Sequence, residues 1–414
     1  MSNPPPFVEV QLEDAGAPAP RVALGARLPR FVGCKVDPVA ALLTLKIMLV
    51  GIGSVGRNAA LHLARLQPHT LWLVDPKRYK LESLATQAID PAEVGAPKAA
   101  STARLCKRIS PATRMFSFTG LAEALPLAAF AEADAFLLTP DNLPAVLFVG
   151  QIARNLGKLL IQAAVQGEVL VAQVPCWSNT HVEGPCPACG FTAADWSHVN
   201  AATRFSCEGV RAGESKLEIA GPATMSVSPL CSLAADLAVT QLLRAVLHLG
   251  APVEDTALEY CGYTHRTVEA PLKCNPQCPC DHTIFVQRAA PRPLGECTLR
   301  DLSSAAGLPF GDAASYTVDG FSFVEFGACQ CAIPPAIRRF VAPGETPLGS
   351  CALCHAPVQA QPFHTHRSVS APLLGPLAER PLRELGVTTA RSVVVRAADA
   401  AVLFLNSHSE PATP

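Results

Sequence analysis

The segment TLKIMLVGIGSVGRNAALHLARL, residues 44–66, constrains the fold of this chain more than any other. A nearly continuous apolar run of strand length enters a G-x-G-x-x-G turn and leaves it with the apolar spacing of a helix. Gly51 permits the tight turn, Gly53 lets the backbone approach a phosphate, and Gly56 allows close helix contact, while the helix N-terminus presents free N–H groups and a partial positive charge. A second apolar run, TLWLVDP, ends on Asp75, about 20 residues on, where a carboxylate accepts ribose hydroxyls. This is the spacing of a nucleotide-binding βαβ unit, with NAD as its default ligand.

The alternation continues. TRMFSF reads as strand, LAEALPLAAF as helix, ADAFLLT as strand, PAVLFVGQIARNL as helix, then KLLIQA and EVLVAQV as strands. Repeated βαβ units with mostly apolar strands predict an α/β fold: a Rossmann-like, mostly parallel sheet with helices on both faces. Residues 175–222 break the rhythm and are too long for an idle connection, which points to function. PLCSLAADLAVTQLLRAVLHLG, apolar nearly all round, reads as a buried helix closed by Gly250. After CNPQCPCDH the composition changes, so the main domain is expected over 35–285, after an N-terminal arm, 1–34, with one possible strand at Phe7–Leu12. A small α+β domain with its own cysteines is expected over 290–405, ending in SVVVRAADAAVLFLN, two short strands around a polar turn, and 406–414 as a disordered tail.

At 414 residues the chain accommodates two or three domains. A net charge of -1 with 16% charged residues offers no basic face to nucleic acid. The most apolar stretches are interrupted by Lys46, Asp236 and Arg244, which makes them core elements and not membrane spans. The N-terminus lacks a basic segment followed by an apolar run, so a cytoplasmic setting is expected. In a reducing compartment the 16 cysteines are thiols, metal ligands or nucleophiles.

Lys98, in VGAPKA, follows the acid by about 25 residues, where a dehydrogenase has no use for a cation. A lysine there can neutralise a triphosphate and its leaving pyrophosphate. Asp141, after ADAFLLT, stands at the carboxyl end of the sheet, where ligands collect, and can hold magnesium. Asp141 or Asn142 would serve equally as a helix cap. Cys186 and Cys189 form a C-x-x-C half-site, Cys274, Cys278 and Cys280 crowd together, and Cys329 and Cys331 with Cys351 and Cys354 have the half-site pattern of a zinc ribbon.

The order VGIGSVG, LVDP, VGAPKA, TPDN, then a C-x-x-C, a cysteine-bearing loop and a second cysteine cluster resembles the E1-like, ThiF and MoeB superfamily of ubiquitin-activating and sulfur-carrier-activating enzymes, over roughly residues 35–285. The resemblance implies ATP bound by Gly51, Gly53, Gly56 and Asp75, phosphate contact by Lys98, and Mg2+ and adenylation served by Asp141. It implies a Zn2+ held by Cys186 and Cys189 with two of Cys274, Cys278 and Cys280, Cys278 with Cys280 being favoured. It places the acyl-accepting cysteine in the crossover loop, at Cys207, beside Arg204 and Glu208. Two departures stand out. ESLATQ puts Ser83 and Thr86 where the family has asparagine and arginine, and the arginine that follows the later Asp is missing, with Val146 nearby and Arg154 further on.

The expected function is therefore adenylation of the C-terminus of a ubiquitin-like protein and its transfer to Cys207 as a thioester, with an E2-like acceptor downstream and a homodimer as the usual assembly. The rivals are a sulfur-carrier adenylyltransferase, a nicotinamide-dependent oxidoreductase, and a nucleotide-binding pseudo-enzyme scaffold.

Overall fold

The computed structural model describes residues 7–11, 28–140, 142–207, 226–331 and 333–406, with the backbone alone for 201–207. The described residues form two compact units, one drawn from Pro5–Leu125 and Phe130–His282, the other from Pro126–Ala129 and Thr283–Pro414.

The first unit is built on a 10-stranded sheet. Its strands are β1 (Val8–Glu9), β2 (Lys46–Val50), β3 (Thr70–Val74), β4 (Arg114–Phe118), β5 (Ala135–Leu138), β6 (Leu159–Gln162), β7 (Ala164–Gln166), β8 (Val171–Trp177), β9 (Thr256–Cys261) and β10 (Arg266–Pro271). They lie in the order β1-β4-β3-β2-β5-β6-β8-β9-β10, with β7 on β8. The central strands β4-β3-β2-β5-β6 run parallel, and β3 and β5 are buried along their whole length, as expected of a sheet covered on both faces. The helices are α1 (Pro38–Thr44), α2 (Ser54–Arg65), α3 (Ser83–Thr86), α4 (Lys98–Ile109), α5 (Leu127–Ala131), of which only Phe130 and Ala131 belong to this unit, α6 (Leu143–Leu156), α7 (Ala193–Cys207) and α8 (Ser228–Leu247).

Local chemistry explains where the elements depart from the periodic reading. Pro126 splits LAEALPLAAF into a 3-10 turn, Ala122–Ala124, and the short α5, because proline lacks the N–H a continuous helix needs. EVLVAQV begins as a 3-10 turn, Gly167–Val169, and Leu170 takes a left-handed φ of +49°. The chain reverses there, so β8 pairs antiparallel with β6 and β7. The buried helix α8 ends on His248, at φ +52°, ahead of the expected Gly250. Small residues let α8 approach α2: Ala234, Ala235 and Ala238 share a core with Ala59, Ala60, Leu63 and Ala64, all 0% exposed. Truncating Leu63 to alanine would cost roughly 2–5 kcal/mol by lost transfer energy and a cavity.

The second unit contains β11 (Val286–Ala289), α9 (Leu299–Ala306), β12 (Ala314–Val318), β13 (Ser322–Ala328), β14 (Ala336–Val341), β15 (Gln359–Ala360), β16 (Thr365–His366), β17 (Val369–Ser370), α10 (Ala371–Leu374), β18 (Ser392–Ala397) and β19 (Ala400–Leu405). One sheet has the order β11-β19-β18-β12-β17, and a second joins β14-β13-β15 with β16. The β18–β19 hairpin is the one read from SVVVRAADAAVLFLN. Thr298 and Asp301 exchange hydrogen bonds in a capping box that starts α9. Tyr316, Phe323, Phe340 and Phe404 fill the core beneath it.

Candidate functional site

The glycine turn is fixed from two sides. Gly51 adopts φ +91°, and its N–H donates to the Val74 carbonyl at 2.9 Å. A Cβ on Gly51 would lie 2.7 Å from Pro140 N, and one on Gly56 would lie 1.9 Å from the Gly51 carbonyl oxygen and 2.5 Å from Thr139 Oγ1. Only glycine fits either place. Thr139 Oγ1 donates to that same carbonyl at 2.6 Å, tying β5 to the turn. Gly53 differs: a Cβ there would meet nothing within 4 Å. The turn is therefore packed beneath Gly51 and Gly56 and open at Gly53, next to the first N–H groups of α2, which suits an anion.

Asp75 closes one side of this opening. It is 6% exposed, and its carboxylate accepts from Ile52 N at 2.6 Å and from Lys77 N at 2.7 Å. Burial raises its carboxyl above the ordinary range, and the Lys98 ammonium is the largest opposing influence. Lys98 begins α4, is 8% exposed, and holds its Nζ 5.6 Å from the centre of the Tyr79 ring. Gly51, Gly53, Gly56, Asp75 and Lys98, apart in sequence, thus share one neighbourhood at the carboxyl ends of β2 and β3.

A residue missed by sequence reasoning organises the wall of this neighbourhood. Arg57, 2% exposed, donates from Nε to Ala88 O at 2.5 Å, from Nη1 to Tyr79 Oη at 2.9 Å and Thr102 Oγ1 at 3.2 Å, and from Nη2 to Glu93 at 2.7 Å. Glu93 also accepts from Ser101 Oγ and Asp90 N. Burial opposes the Glu93 charge, but the hydrogen bonds from Ser101, Asp90 and Arg57 hold its carboxyl below the ordinary value. The only hint in the sequence was a cation just after the third glycine, at a position helical spacing would bury.

A first cysteine cluster lies elsewhere in the same unit. The ligand atoms of Cys186, Cys189, Cys278 and His282 all lie within 4.8 Å of one another. Cys186 Sγ is 3.7 Å from both Cys189 Sγ and Cys278 Sγ, and Cys189 Sγ is 3.7 Å from His282 Nε2. Zn–S bonds of about 2.3 Å in a tetrahedron give a sulfur–sulfur edge of about 3.8 Å, so the donors fit zinc. The expected closure by two thiols, with Cys278 and Cys280 favoured, differs from this foursome, in which His282 stands beside Cys278. Cys274 Sγ lies 3.8 Å from His282 Nδ1, and Cys280 is in side-chain contact with Cys186. Beside the cluster a cavity of about 340 Å³ is lined by residues including Gln162, Gln173, Trp177, Cys189, Glu259 and Lys273.

In the second unit the sulfurs of Cys329, Cys331, Cys351 and Cys354 also lie within 4.8 Å of one another, Cys331 Sγ being 3.8 Å from Cys351 Sγ. Backbone N–H groups of Cys331 and Leu353 donate to Cys329 Sγ at 3.3 Å and to Cys351 Sγ at 3.4 Å. Four thiolates so placed also fit zinc.

A model of the ThiF family matches residues 28–280. The chain belongs to the ThiF family. Over 166 residues it is 27% identical to "Adenylyltransferase and sulfurtransferase MOCS3" of Arabidopsis thaliana, covering 40% of this chain and 34% of that protein. The chain thus spans about a third of the length of the curated relative it matches. Among solved structures, MccB of E. coli is 15% identical, with 58% of this chain and 68% of that chain covered at a TM-score of 0.45. PaaA is 17% identical, with 56% and 65% covered at a TM-score of 0.42.

Several residues expected of a ThiF-family site stand apart from it or lie outside the described residues. Asp141 lies outside them, and Asn142 beside it caps α6, accepting from Ala145 N at 2.9 Å. The backbone of α7 ends on Cys207, whose side chain, with Arg204, Glu208 and the rest of 208–225, is outside the described residues. Ser83 and Thr86 form the one-turn helix α3, where Ser83 Oγ accepts from Lys80 N. Arg154, a conceivable stand-in for the absent arginine, instead donates to the carbonyls of His181 and Val182, close to the first cysteine cluster.

Proposed function

We propose that this ThiF-family chain is an activating enzyme. It binds MgATP over the turn from Gly51 to Gly56, joins the C-terminal carboxylate of a ubiquitin-like protein to AMP, and passes the acyl group to Cys207 as a thioester. The observation that carries this reading is the turn itself, open at Gly53 alone and bounded by Asp75 and Lys98. A lysine within electrostatic reach of the ribose-binding acid suits a triphosphate better than a dinucleotide.

In the first step a carboxylate oxygen attacks the α-phosphorus and pyrophosphate leaves. Lys98 and the N-terminus of α2 offset the charge that builds on the leaving group. Asp141 would hold Mg2+, which adds to that neutralisation. In the second step the Cys207 thiolate attacks the acyl carbon and AMP leaves, dividing one hard transfer into two easier ones. The substrate tail has a candidate approach in the cavity that includes Gln162, at the carboxyl end of β6. That strand lies two places from β2 in the sheet, roughly 10 Å by strand spacing.

Both cysteine clusters hold Zn2+ in this reading, each as a closed ligand set with a structural role. The second unit then serves to dock a partner. A homodimer, an E2-like acceptor and a cytoplasmic setting complete the proposal. The name of the Arabidopsis relative supports a second reading, in which the adenylated carrier receives sulfur and becomes a thiocarboxylate.

Incubation with MgATP and a panel of ubiquitin-like proteins, followed by pyrophosphate release and non-reducing gels, tests the proposal. Lys98→Ala is expected to lower pyrophosphate release at least tenfold, about 1.4 kcal/mol in the barrier. Cys207→Ala is expected to keep that release and lose the thiol-sensitive conjugate. Unchanged release in the first variant, or an undiminished conjugate in the second, refutes the role given to that residue.

A further inference from the structure

Arg154 is 0% exposed, a fully buried cation on α6. Its Nη2 is satisfied by the carbonyls of His181 and Val182, yet Nε and Nη1 are buried and reach no hydrogen-bond partner. Gly184 crosses over it closely, since a Cβ there would lie 3.1 Å from Nη1. A guanidinium buried against neutral carbonyls alone is costly, because nothing returns the hydration energy of its charge. The groups that act on it electrostatically are the sulfurs of Cys186, Cys274 and Cys189 and the Asp255 carboxylate. Asp255 is occupied otherwise, accepting from Ser178 N at 3.0 Å and Ser178 Oγ at 3.2 Å. Neutral thiols would leave Arg154 without an adequate counter-charge, whereas thiolates on a metal supply one.

We propose that Arg154 is the dedicated counter-ion of an anionic metal–thiolate centre, and that its single charge matches a ligand set of Cys186, Cys189, Cys278 and His282. A divalent cation with three thiolates and a neutral imidazole carries one negative charge, which one guanidinium neutralises. Four thiolates would carry two, leaving one unmatched charge beside Cys186, which is 4% exposed. Cys274, outside that foursome, touches both Cys189 and the histidine; its sulfur, 3.8 Å from His282 Nδ1, is placed to accept from that nitrogen in the tautomer that leaves Nε2 free for the metal. Such outer partners fix the tautomer and orientation of a ligating histidine. Arg154 is thus a positioning and charge-balancing residue of the metal centre. This role depends on the cluster alone and does not require the adenylation chemistry.

Cadmium-113 NMR of the cadmium-substituted full chain, with chelator titration, tests it. Two resonances are expected in the wild type, one in the position of four sulfurs from the second unit and a more shielded one from three sulfurs and a nitrogen. In Arg154→Met the shielded resonance should be lost at a chelator concentration on the order of tenfold lower, with the other unchanged. Arg154→Lys, which keeps the charge, should restore most of that retention. Two four-sulfur resonances in the wild type overturn the ligand set, whatever the variants do. Unchanged retention in Arg154→Met overturns the counter-ion role, as does equal loss in Arg154→Lys and Arg154→Met, which would leave Arg154 only a packing role.

Discussion

Gly53 and Gly56 lie in one turn, yet alanine should do opposite things to them. At Gly53 the backbone has φ -83° and ψ -152°, and a methyl meets no atom within 4 Å. Less unfolded-state freedom then stabilises by about 0.4–1 kcal/mol, and alanine's weakness as a helix cap offsets a similar amount. The net change should be within about 0.5 kcal/mol, or about 2 °C in Tm. The methyl nevertheless stands where a phosphate would lie, so nucleotide affinity should fall at least tenfold, about 1.4 kcal/mol. With MgATP at about 100 times the wild-type Kd, the ligand stabilises by about 2.7 kcal/mol, and a tenfold weaker variant would keep only about half of that. Gly56→Ala instead drives a methyl to 1.9 Å from the Gly51 carbonyl oxygen, a backbone atom held by Thr139. Overpacking of that kind costs about 3 kcal/mol or more, and Tm should fall by roughly 6–12 °C. Differential scanning fluorimetry with and without MgATP reads both effects. A full ATP-induced shift in Gly53→Ala would refute the phosphate site, and a wild-type Tm in Gly56→Ala would refute the packing account.

Arg57→Met removes four hydrogen bonds and leaves Glu93 without its cation, and should cost about 3–5 kcal/mol in denaturant titrations, against less than about 1 kcal/mol for the exposed Arg65→Met. The Glu93 carboxyl is held below its ordinary 4.5, so its stabilising effect is complete above that value and lost as pH falls through the depressed one. The Tm of the wild type should accordingly drop on acidification below about 4.5, and more steeply than that of Glu93→Gln. Burial pushes the thiols of Cys106 and Cys176 up to about 12, so iodoacetamide at pH 8 should leave both unmodified in the native chain and label both after denaturation, as peptide mass spectrometry would show.

The βαβ core was legible because each element announces itself locally: an apolar run of strand length, a glycine turn, then helical spacing. The hairpin β18–β19 was legible for the same reason. The strands β12 to β17 were not, since several are two residues long and find their place only through partners distant in sequence. Cysteine spacing pointed to metal groups, but His282 was overlooked although it closes the very run CNPQCPCDH. Spacing says which sulfurs are near in sequence, whereas the foursome depends on how residues 274–282 fold onto Cys186 and Cys189. Arg57 and Arg154 were hidden by the rule that arginine lies on the surface. Each is buried because a local set of acceptors or thiolates awaits it, which no window of sequence shows.

The inward hydrogen bonds of the glycine turn bear on how fast it can work. Gly51 N is held by Val74, Gly51 O by Thr139, and Ile52 N by Asp75, so the ends of β3 and β5 fix the loop without a ligand. The ordering entropy of the loop is then settled during folding and not at each encounter. Association should follow simple single-phase kinetics, and amide exchange at Ile52 should be slow in the free chain and little changed by nucleotide.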